Sequence, residues 1–98
     1  MKIIPFSKLT SIINKGDVIA LAALSTANLP AEILKTLVEY NDEDQSFTDF
    51  TFMLANDISD YRGDSYDLDA FTTRGMIKRL ITSIITASPA TINAMRNN

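Results

Sequence analysis

A chain of 98 residues with 46% hydrophobic and 21% charged residues has the makeup of one ordinary globular domain, neither disordered nor divided in two. Its net charge of −3 and pI near 4.7 argue against a surface that tracks a phosphate backbone, and so against nucleic acid. With no cysteine and no histidine, the chain cannot form disulfides, thiolate zinc sites or His-dependent catalytic triads.

The chain opens without a visible secretory signal, since Ile3-Ile4-Pro5-Phe6 is too short for an apolar core segment. From Ser7 to Gly16 the spacing predicts a short helix. Ser7 caps its first turn, and Leu9, Ile12 and Ile13 recur on one side. Lys15 complements the negative end, and Gly16 is a natural left-handed stop. Positions 17–24 then form an apolar run without polar alternation, which fits a strand covered on both faces of a parallel sheet. A buried helix competes, because alanine and leucine favour helix. Gly16 and the polar turn Ser25-Thr26-Ala27-Asn28 tilt the choice to strand.

Pro30 suits the first position of the next helix, where Ile33, Leu34, Leu37 and Val38 make one apolar stripe. The acidic run Asn41-Asp42-Glu43-Asp44-Gln45 is expected to end it as an exposed loop. Phe50-Thr51-Phe52-Met53-Leu54-Ala55 reads as a second strand, and strand, helix and strand make a βαβ unit with a right-handed crossover. Residues 56–73 are polar, carry five aspartates and read as a long irregular loop. Gly75-Met76-Ile77-Lys78-Arg79 leads into a third strand at 80–86. Ser88 caps a last helix, with Pro89 at its first position. The uncharged stretches 18–31 and 80–95 are broken by Pro30 and Pro89 and fall short of the ~20 residues that cross a bilayer. No membrane association and a cytoplasmic location are the expectation.

In this order the segments resemble the acyl-CoA:carboxylate CoA-transferases, closest to the propionate or acetate CoA-transferase branch. Lys15-Gly16-Asp17-Val18-Ile19 is similar to the family's K-D-G-D-T-V, and Pro30 with Glu32-Ile33-Leu34 to its P-E-x-L helix start. Gly75-Met76-Ile77-Lys78-Arg79 is similar to H-E-G-L-V-K-R. Pro89, with the helix that ends in Asn97-Asn98, is similar to P-x-L…E-N. The resemblance implies a small, open, mostly parallel α/β sheet, the isomerase-related N-terminal part of a CoA-transferase, with residues 1–98 as a single partial domain. It implies ping-pong transfer of coenzyme A from an acyl-CoA to a carboxylate through a glutamyl thioester. The family's glutamate belongs to a C-terminal half that this chain lacks, and none of Glu32, Glu39 and Glu43 matches it. No catalytic residue is therefore expected here.

The departures share a chemistry. The family's glycines after the first strand let backbone N–H groups approach a developing oxyanion. This chain has Ser25, Thr26 and Asn28 in a turn without glycine. Ala70 and Thr73 stand where the family has histidines, and Ser83-Ile84-Ile85 where it has a G-H-W-like run. The pattern fits a truncated or degenerate CoA-transferase-like domain that is inactive alone. The alternatives are a non-catalytic interaction or oligomerisation module on the same fold, and a sugar-phosphate-sensing domain.

The candidate coenzyme-binding residues are Ser25, Thr26, Asn28, Lys78 and Arg79, with coenzyme A or acyl-CoA as the ligand. Each has a plainer reading: a polar turn for the first three, and cations that cover apolar surface for Lys78 and Arg79. Tyr61, Tyr66 and Phe71 form either a lid or packing for the loop. The aspartates at 57–69 do not make a calcium loop, because Gly63 at its sixth position would put Ile58 at the first. No metal is expected. The partners expected are a C-terminal half or partner subunit, or further copies in a homo-oligomer.

Overall fold

Within residues 1–22, 30–56, 58 and 66–97, which the computed structural model of the chain describes, four α-helices alternate with three strands. Helix α1 (Leu9–Ile12) precedes strand β1 (Val18–Leu21). Then come α2 (Ala31–Glu43), β2 (Phe50–Leu54), α3 (Leu68–Thr73), β3 (Ile77–Thr82) and α4 (Pro89–Arg96). The strands form one open parallel sheet in the order β1-β2-β3, so the chain has the expected α/β class. No described helix is long and apolar enough to cross a membrane.

The sheet has two unlike faces because successive side chains in a strand point to opposite sides. Phe50, Phe52 and Leu54 of β2 are buried beneath Leu34, Leu37 and Val38 of α2 and Phe71 of α3. Aromatic rings run through this core, edge to face in the first two pairs and tilted in the third. Tyr40 and Phe47 lie 4.7 Å apart, Phe47 and Phe50 4.9 Å, and Phe52 and Phe71 4.9 Å. Such pairs add about 0.5–1.5 kcal/mol each beyond the area they bury.

The register puts Val18 opposite Thr51 and Thr51 opposite Arg79, and then Ala20 opposite Met53 and Met53 opposite Ile81. These residues form the other face. There Val18 is 63%, Met53 43% and Ile81 45% exposed, so the described helices do not cover it. A parallel sheet is usually covered on both faces. Among the described residues this one is covered on one.

Several boundaries differ from the sequence reading. Helix α2 runs on through Asn41, Asp42 and Glu43. The side chain of Asn41 is buried and donates Nδ2–H to the carbonyl of Phe47 at 2.9 Å, a tertiary partner that local polarity does not reveal. Pro30 is the cap residue of α2, one place before the helix. Strand β3 begins at Ile77, and a register shift between Phe50 and Thr51 leaves Lys78 as the extra residue of a bulge. The stretch read as loop contains α3, capped by Asp67, whose carboxylate accepts from the Ala70 N–H at 3.2 Å. Ser7 sits inside a 3-10 turn (Phe6–Lys8), and neither that turn nor α1 has a side-chain cap. Ser88 does not cap α4 with its side chain either. Asp69 of α3 does so instead, accepting from the N–H groups of Ala90 (3.1 Å) and Thr91 (2.9 Å).

Candidate functional site

In a parallel sheet all strands start at the same end, so residues far apart in sequence converge there. Three connections draw that end together. The Gly16 N–H donates to Thr48 O at 3.0 Å, the Thr48 hydroxyl donates to Gly75 O at 3.0 Å, and the Phe50 N–H donates to Met76 O at 2.9 Å. Thr48 thus links the residues that lead into β1 and β3. Gly16 holds a φ of +83°, which a side chain would strain.

On this frame Lys15, Gly16, Asp49, Thr51, Lys78 and Arg79 line an open depression of about 440 Å³. Lys15 Nζ lies 3.4 Å from the Asp49 carboxylate, an exposed pair. Asp49 has a φ of +65°, a conformation that aspartate tolerates better than most residues. Lys78 and Arg79 are exposed and have no carboxylate within ion-pair distance among the described residues. The depression holds three cations against one carboxylate, in a chain whose net charge is −3. Its excess of positive charge is local and of the sign that attracts a carboxylate, a phosphate or the negative end of a helix.

Lys78 and Arg79, expected from the sequence, therefore stand together, and Lys15, Asp49 and Thr51 join them. Spacing along the chain does not reveal those three. The signal for them is their place just before or at the start of β1 and β2, once the strands are known to be parallel. Ser25, Thr26 and Asn28 lie outside the described residues. Of the three aromatic residues read as a lid or as loop packing, Phe71 belongs to the core, Tyr66 packs against that core under Lys35, and Tyr61 lies outside the described residues. No group of three or more metal-ligating side chains occurs among the described residues.

Comparison with protein families, with curated proteins and with solved structures gave no match. The site's reading therefore rests on its own geometry. The cation-lined depression opens at the strand-start end of the uncovered face, and Thr51 and Arg79 belong to both.

Proposed function

We propose that this chain is a non-catalytic interaction module that seats an amphipathic helix of a partner polypeptide on its uncovered sheet face. The carrying observation is the exposure of Val18, Met53 and Ile81 on a parallel sheet whose opposite face carries the hydrophobic core. Outer strands of a three-stranded sheet lie about 10 Å apart, and a helix with its side chains is about 10–12 Å across. One helix therefore covers the face. A helix seated antiparallel to the strands, as within a βαβ unit, has its C-terminus at the strand-start end. The negative end of its dipole then meets Lys15, Lys78 and Arg79.

The test uses a synthetic amphipathic helix of about fourteen residues, with a leucine stripe and glutamates in its last turn. Binding should shift the amide resonances of Val18, Ala20, Met53 and Ile81, and Met53→Asp should weaken it about tenfold or more. Binding that ignores Met53→Asp would overturn the assignment. Concentration-dependent dimerisation that Met53→Asp abolishes would give the face to a second copy of the chain instead.

A second reading is favoured by the pairing of Lys78 and Arg79 beside Lys15. Here the chain is a degenerate CoA-transferase-like domain that keeps phosphate contacts but performs no transfer alone. With acyl-CoA and acetate it should give no CoA exchange. Calorimetric titration with coenzyme A should show heat that the double change Lys78→Ala and Arg79→Ala removes. Titration with a sugar phosphate separates this reading from phosphosugar sensing.

A further inference from the structure

Beside β3 lies a second unfilled surface, distinct from the uncovered face. Strand β3 is the last of the sheet among the described residues, so alternate backbone N–H and C=O groups along its outer side have no neighbouring strand there. Helix α4 follows it and packs on α3 through the Asp69 and Thr72 contacts to Thr91, which places α4 on the covered side of the sheet. Between β3 and α4 runs a groove of about 340 Å³ whose apolar lining includes Ile77, Leu80, Ile85, Ala94 and Met95. Met95 is 57% and nearby Ile84 50% exposed, and within α4 only Thr91 is buried. Lys78 lines this groove at the strand-start end and lines the cation depression as well.

We infer that β3 and α4 form a docking site for an extended strand of another polypeptide, added to the sheet edge. Three observations choose a strand over other occupants. The edge offers backbone groups at a strand's repeat, which a helix or a small apolar molecule cannot satisfy. The groove lies on one side of that edge only, so it takes alternate side chains of the added strand, and these should be apolar. The single charged residue of its lining, Lys78, selects a carboxylate at the end of the strand nearest the start of β3. The occupant is therefore an acidic-ended segment with alternating apolar residues. Lys78 apart, which both use, this inference is separate from the helix-seating reading, because it uses the edge and α4 rather than the face that carries Met53.

The probe is a synthetic peptide of about eight residues, alternating valine and threonine, with an aspartate at each end. Titrated into the full chain, it should shift the amides of Ile77–Thr82 and of Ala94 and Met95. Met95→Asp should weaken binding about tenfold or more, while Met53→Asp, on the uncovered face, should leave it unchanged. N-methylating one alternate set of peptide nitrogens should abolish binding, and methylating the other set should not. Lys78→Glu should weaken the aspartate-ended peptide and favour a lysine-ended one. Circular dichroism of each variant checks that the fold is kept. No binding, equal tolerance of both methylated sets, or sensitivity to Met53→Asp in place of Met95→Asp would overturn the site. Dimerisation abolished by Met95→Asp would assign the edge to a second copy and overturn the choice of a foreign strand.

Discussion

Asp42 lies in the last turn of α2, where the negative end of a helix disfavours a carboxylate. Its pKa is nonetheless held below the ordinary 3.8, because Arg74 donates Nε–H at 2.8 Å and Nη2–H at 3.3 Å in a two-point contact. The fixed guanidinium wins over the dipole. Asp42 raises the pKa of Arg74 in turn, and Arg74 also donates to Ala70 O at 3.1 Å, so the pair ties the end of α2 to the end of α3. A carboxylate with a depressed folded pKa stabilises the fold above its unfolded pKa. That contribution fades as pH falls through the folded value. Arg74 stays charged in both states over this range and adds no slope. Asp42→Asn should therefore lower the melting temperature at pH 7, and the gap from the parent should close as pH drops below 3.8. A gap that persists in acid would show that Asp42 acts by packing and not by charge.

At the scale of elements, α4 depends on a residue outside itself. Asp69 accepts from the Ala90 and Thr91 N–H groups and from the Thr91 hydroxyl at 2.9 Å, and the Thr72 and Thr91 hydroxyls lie 2.7 Å apart. Asp69→Ala should cost about 1–2 kcal/mol, the worth of a lost cap. Amide exchange should rise in α4 well before it rises in β2. Equal protection of α4 in both proteins would mean that its own sequence suffices. This dependence explains what the sequence hid. Strands β1 and β2 were legible because apolar runs flanked by turn residues are local signals. Helix α3 was not, since it has only six residues and its three buried ones (Leu68, Ala70 and Phe71) sit among aspartates. Its end carries a signal that was open to reading. Gly75 takes a φ of +68° and donates to Thr72 O at 3.0 Å, while Met76 donates to Phe71 O at 3.0 Å, the paired bonds of a glycine-terminated helix. In the candidate site, Lys78 and Arg79 stood out as adjacent cations, but their meeting with Lys15 follows only from strand order.

For the whole molecule the decisive asymmetry is between two neighbours on one strand. Phe52 is 1% exposed and touches the ring of Phe71, whereas Met53 is 43% exposed on the opposite face. Phe52→Ala should cost about 3–5 kcal/mol, the usual range for emptying a buried aromatic site. That is a large part of the roughly 5–15 kcal/mol that holds a domain together. Met53→Thr should stay within about 0.5 kcal/mol, because a threonine on an exposed strand position loses little burial and keeps strand propensity. Denaturant titration of both variants with unchanged slopes measures the contrast directly. The contrast bears on function as well as stability. On the proposed reading, a face that the described helices leave uncovered and that presents Val18, Met53 and Ile81 beside three cations is apolar surface for association. If Met53→Thr were as costly as Phe52→Ala, that face would belong to the domain's own core, and a partner helix would have nothing to cover.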